Sequence, residues 1–135
     1  EGFSGYILNV GGNVKVIGDR PDGEKWTELE PIYIAPDAAE PECSDYLALN
    51  GKYYLIFSLR GQGQYRISDT PFTGWREPKN PVIPCRSVPK AAVWRDRILF
   101  AGFAGIDGYA GTMTFLEAVP GEDGEFTYKP VNEMQ

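Results

Sequence analysis

A β-hairpin that recurs at a fixed distance constrains this chain more than any other feature of its sequence. Tyr46 to Leu49 alternates into Asn50-Gly51, a pair that accepts positive φ at both central positions of a tight turn, and Lys52 to Phe57 returns as an aromatic and β-branched strand. Forty-five positions later the hairpin recurs around Arg95-Asp96, which makes Tyr46 to Leu59 and Ala91 to Phe103 equivalent units. A second repeat accompanies it. Ile17 to Ile34 (IGDRPDGEKWTELEPIYI) and Ile67 to Ile83 (ISDTPFTGWREPKNPVI) share an apolar-x-Asp start, a Gly-containing turn, a Trp, an acidic residue and a Pro-apolar end, about fifty residues apart. Hairpin pairs with a period in the forties are the signature of four-stranded propeller blades.

The apolar runs predict strands near Gly5–Val10, Asn13–Ile17, Trp26–Glu30, Tyr46–Leu49, Tyr53–Leu59, Gln64–Ser68, Ala91–Trp94, Ile98–Phe103, Thr112–Leu116 and Phe126–Lys129, with no competing segment of helical period. Gly and Pro make up 27 of 135 residues and lie between these runs, as turns require, rather than in one linker. The fold class expected is therefore all-β, a partial β-propeller forming one incomplete domain. Residues 1–40 are read as outer strands of one blade, 41–86 as a complete blade and 87–135 as strands of the next. At this spacing 135 residues supply about two and a half to three blades, whereas closed propellers typically use four to eight. The chain is expected to self-associate or to be completed by the missing remainder of the ring.

A net charge of −6, with Lys and Arg scattered, argues against nucleic acid and against anionic membrane surfaces. The apolar runs are strand-sized, too short for a membrane-spanning helix, and no signal-like segment opens the chain; localisation stays open. There is no histidine, which removes Ser-His and Cys-His pairs and His-based metal sites. Neither a P-loop nor a GxGxxG run occurs. No cofactor and no metal are expected. Cys43 and Cys85 are read as two free, largely buried thiols at similar positions of successive blades. Carboxylates remain as the proton-transfer groups, and two of them suffice for glycoside hydrolysis: one held neutral to protonate the leaving oxygen, the other attacking the anomeric carbon or activating water.

The run Pro41 to Ser58, PECSDYLALNGKYYLIFS, carries a family resemblance. Glu42-Cys43-Ser44-Asp45 running into a hairpin resembles the Glu-Cys-(Pro)-Asp motif of glycoside hydrolase family 32, the β-fructosidases; family 43, the arabinanases and xylosidases, places its acid in a similar way. Downstream, GQYRISDTPFTGW resembles the outer strands of the same blade, VPKAAVWRDRILFAGF the next inner hairpin, and GTMTFLEAVPGEDGEFTYKPVNEM the last-blade segment, in the family's order. Ser44 stands where the family has Pro, Lys90 where it has Tyr, Phe103 where it has Trp, and Leu116 follows Phe115 without the family's Pro-Arg.

The resemblance implies a five-bladed catalytic propeller of carbohydrate metabolism in which Glu42 is the general acid. Asp45, from the same motif, is a candidate substrate contact, with a hydrogen-bonding strand cap as its structural alternative. Arg86 and Lys90 flank the next inner strand, where cations can bind sugar hydroxyls or orient Glu42; pairing with the surplus acids is their structural alternative. Trp26 and Trp75 share a repeat position, which favours packing between blades, and Trp94 is also read as structural. The family's Asn-Asp-Pro-Asn and Arg-Asp-Pro motifs are absent, and Asp19-Arg20-Pro21 matches Asp69-Thr70-Pro71 as a blade turn. The nucleophile is therefore expected outside the chain. The reading is part of a glycoside hydrolase acting on oligo- or polysaccharides; the alternative is a non-catalytic propeller module for glycan binding or protein interaction.

Overall fold

Lys52–Leu59 is apolar or aromatic at nearly every position, without the alternation of a strand that faces water, so it must be covered on both sides. That demand organises the molecule. The computed structural model describes residues 6–10, 13–17, 28–105 and 111–131. Its strands are β1 (Tyr6–Val10), β2 (Asn13–Ile17), β3 (Glu28–Ile34), β4 (Glu42–Leu49), β5 (Lys52–Leu59), β6 (Gln62–Ser68), β7 (Ser87–Trp94), β8 (Arg97–Gly105), β9 (Gly111–Pro120) and β10 (Phe126–Pro130). One short 3-10 turn, Pro36–Ala38, precedes β4. The strands form three antiparallel sheets in sequence order, β1-β2-β3, β4-β5-β6 and β7-β8-β9-β10. This is the all-β, partial propeller expected. The start of the predicted strand Trp26–Glu30 lies outside the described residues, as do Trp26 itself and the turn Asp19-Arg20-Pro21.

The middle sheet is buried on both faces. Tyr54 and Ile56 of β5, with Tyr65 and Ile67 of β6, pack against Ile98, Phe100, Ala118 and Phe126 of the third sheet. Leu55, Phe57 and Leu59 point the other way, onto Ile32, Tyr33 and Ala35. Leu55, Ile56 and Phe57 are wholly withdrawn from water, each contributing about 1.5–3 kcal/mol. Polar tips within the larger cluster are satisfied: the Tyr54 hydroxyl donates to the Gly124 carbonyl and the Tyr65 hydroxyl accepts the Phe126 N–H, both at 3.0 Å. Burial pushes the Tyr54 hydroxyl up to about 12.

The two hairpins are register-equivalent along their whole length. Glu42 pairs with Ser58, Asp45 with Ile56 and Leu49 with Lys52; adding forty-five gives Ser87 with Phe103, Lys90 with Ala101 and Trp94 with Arg97. Both turns have two central residues at positive φ, Asn50 and Gly51 at 50° and 75°, Arg95 and Asp96 at 49° and 62°. This hand matches strand twist and keeps a two-residue loop tight.

Where blade 41–86 was expected to have a fourth strand, the chain instead makes isolated bridges, Ile67 with Arg76 and Gln64 with Val82. Pro78, Pro81 and Pro84 lack the N–H that a continuous ladder requires. The outer edge of β6 is nevertheless covered, because the Gly63, Tyr65 and Ile67 N–H groups donate to the carbonyls of Arg86, Pro81 and Arg76.

Candidate functional site

β4 and β7 are the edge strands at which the second and third sheets meet. Each begins with a register irregularity, between Glu42 and Asp45 in β4 and between Ser87 and Lys90 in β7. At each, one residue without a glycine's freedom adopts positive φ: Cys43 at 52° and Val88 at 50°. For β-branched Val88 this is a costly conformation that its surroundings must enforce.

Three side-chain ties hold the two bulged ends together. The Asp45 carboxylate accepts the Tyr46 N–H at 3.0 Å and, across the sheet boundary, the Ala91 N–H at 2.8 Å. In the opposite direction, the Lys90 ammonium donates to the carbonyls of Cys43 and Ser44 at 2.8 and 2.9 Å. The Ser58 hydroxyl, opposite Glu42, accepts the Val88 N–H at 2.6 Å and lies 3.1 Å from the Ser87 hydroxyl.

Glu42, Asp45 and Lys90 thus belong to one cluster at the same end of adjacent strands. Glu42 is exposed at the first position of β4. Arg86 is exposed just before β7, and its carbonyl holds the Gly63 N–H at 3.1 Å. The contacts found for Asp45 and Lys90 are with main chain. Sequence reasoning missed Ser58 and Ser87. Ser58 did leave a signal, the one aliphatic hydroxyl in the run YYLIFSL.

Both cysteines are free, as expected, but only one of them is buried. Cys43 is exposed on the bulge, whereas Cys85 is buried in the segment leading to β7, with its thiol pushed up to about 11 by burial. They are not positional equivalents, since the register places Val88 opposite Cys43 in the repeat. Gly102 allows a close approach, and its neighbour is Cys85: a Cβ at Gly102 would stand 2.7 Å from the Cys85 sulfur. Trp75 packs against the cluster on the far side of the middle sheet and meets Tyr46 edge-on at 6.3 Å, while Trp94 is 45% exposed beneath the Arg95 guanidinium. Among the described residues no group of three or more Cys, Asp or Glu is placed to hold a metal ion, and no helix is long and apolar enough to cross a membrane.

Neither a protein-family profile nor a curated protein matches this chain. A solved structure does: the α-L-arabinofuranosidase CtGH43 from Clostridium thermocellum ATCC 27405, 17% identical, with a TM-score of 0.59. The match covers 93% of this chain and 48% of the arabinofuranosidase, so the chain spans about half the length of that enzyme. At this identity the likeness is one of fold, and the sheets described above have the fold of a glycoside hydrolase family 43 propeller over nearly all of this chain.

Proposed function

We propose that this chain forms part of the catalytic propeller of a glycoside hydrolase that cleaves oligo- or polysaccharides, with Glu42 as the general acid and the second carboxylate supplied from outside the chain. The observation that carries the reading is the exposed Glu42 at the head of a bulged sheet-edge strand, in a fold shared with an arabinofuranosidase. Bulges concentrate where a sheet must re-aim a side chain. In this reading the ring has five blades, of the family 43 or 32 type, and Arg86, exposed just before β7, is a candidate contact for sugar hydroxyls. A non-catalytic glycan-binding propeller is the second reading, favoured by the use of Asp45 and Lys90 in tying strands together.

One substitution separates the two. In the full-length protein, Glu42→Gln is expected to lower kcat on unactivated glycosides by about 100-fold or more, and to act much less on aryl glycosides whose leaving groups need little protonation. Equal losses on both substrates would remove Glu42 from the acid's role. Glycan binding with no turnover by the unaltered protein would favour the second reading. The 135-residue chain alone is expected to show no turnover.

A further inference from the structure

We propose that Lys90 is a positioning residue for Glu42, acting through the main chain of the bulge rather than on the sugar. The proposal rests on the reading of Glu42 as the general acid. The residue after Glu42 is held at φ 52°, a conformation that an L side chain rarely adopts, so the direction in which Glu42 leaves the strand depends on what keeps Cys43 there. Lys90 is placed to do so. Its ammonium takes the Cys43 and Ser44 carbonyls together, two charge-assisted hydrogen bonds reaching from the neighbouring sheet. Asp45 fastens the same two strands in the opposite sense through the Ala91 N–H, and Ser58 holds the Val88 N–H of the second bulge.

The repeat shows that this clasp is not a general device for joining blades. Asp45 and Ser58 have Lys90 and Phe103 as their counterparts forty-five positions on. β7 and β8 therefore lack, at these positions, the carboxylate and the hydroxyl with which β4 and β5 secure their neighbour, and the lysine at the first of them turns back to the bulge behind Glu42. Three ties converge on the one junction that carries the candidate acid.

The test uses Lys90→Met and Lys90→Arg in the full-length protein, with two independent readouts. Hydrogen exchange across Glu42–Leu47 is expected to quicken about tenfold in Lys90→Met and to change little in Lys90→Arg, which keeps a donor for the carbonyls. On unactivated glycosides, kcat is expected to fall about tenfold in Lys90→Met with KM within twofold, the loss shrinking on substrates with good leaving groups and being largely restored by Lys90→Arg. Unchanged exchange at the bulge would overturn the proposal whatever Glu42 does. A rise in KM at constant kcat would overturn it in favour of direct sugar binding by Lys90. If Glu42→Gln leaves turnover intact, the acid assignment fails by its own test, and positioning of a catalytic Glu42 by Lys90 falls with it; the exchange data would then report the clasp as structural only.

Discussion

At the scale of single residues, the contact between Gly102 and Cys85 shows how the third sheet is seated on the second. A methyl group at Gly102 would overlap both Cβ and Sγ of Cys85, each at 2.7 Å, and would face the Ser87 carbonyl at 3.3 Å. Cys85 is buried, so little room exists for retreat. Gly102→Ala is expected to destabilise the protein by about 1–3 kcal/mol, the range for overpacking. Cys85→Ala removes the sulfur and keeps the Cβ, so it relieves one of the two overlaps, and Gly102→Ala combined with Cys85→Ala should lose less stability than the sum of the two single variants. Denaturant unfolding of all three variants measures the coupling, and strict additivity would mean that the two residues do not meet as described. Cys85 lies seventeen residues before Gly102 and meets it because the chain folds back, and no spacing rule singles it out.

At the scale of elements, the two equivalent hairpins differ in how well their turns suit the chain. Asn50-Gly51 meets a turn with positive φ at both positions using residues that tolerate it, whereas Arg95-Asp96 imposes φ of 49° and 62° on two residues that carry a Cβ. Asp96→Gly is therefore expected to stabilise the β7-β8 hairpin by about 1 kcal/mol, raising the denaturation midpoint without changing the slope. The same glycine placed at Arg95 should help less, because the second position of the better turn is where Gly51 stands. A loss of stability in Asp96→Gly would show that the aspartate side chain makes a contribution larger than the backbone cost it carries. The hairpins themselves were legible in the sequence because turn chemistry and strand alternation are local. The interrupted outer edge of the middle blade was legible only in part: Pro78, Pro81 and Pro84 announce that a ladder cannot run through, yet which N–H groups of β6 find which carbonyls is settled by how residues 76–86 lie along that edge.

At the scale of the molecule, the third sheet has one face buried and one face open. Ala101, Phe103, Met113, Phe115 and Val119 share the open face by register, with Met113 65% and Val119 42% exposed. Beside Lys90 this face is indented by a cavity of about 420 Å³. Forty-five positions earlier, the equivalent face of the middle sheet carries Tyr54 and Ile56, and it is buried on the third sheet. We expect the open face to drive association of the 135-residue chain in solution, since contiguous exposed apolar surface of this kind is what protein contacts cover. Light scattering over a concentration series should show a rising average mass, and Met113→Asp should lower it. A strictly monomeric species at high concentration, unfolding cooperatively, would mean that the face is satisfied within the chain.

By itself the sequence determined what periodicity and local chemistry can carry: an all-β chain, the strand set, two equivalent hairpins and an acidic residue leading one of them. These follow from side-chain alternation, turn residues with positive φ, and a repeat that any long-range packing must respect. It also located Glu42, Asp45 and Lys90 as residues of interest, on a motif and a resemblance. What the tertiary structure alone decided is their relation. Asp45 and Lys90 occupy the same position of consecutive repeats, and reading along the chain gives no reason for them to reach across to each other's strand. That contact exists because the faces of two sheets bury Tyr54, Ile56 and Phe100 against one another, which brings the ends of β4 and β7 side by side. Strain at Cys43 and Val88 is of the same origin, for backbone φ at a bulge is imposed by the pairing on either side, and neither residue type favours it.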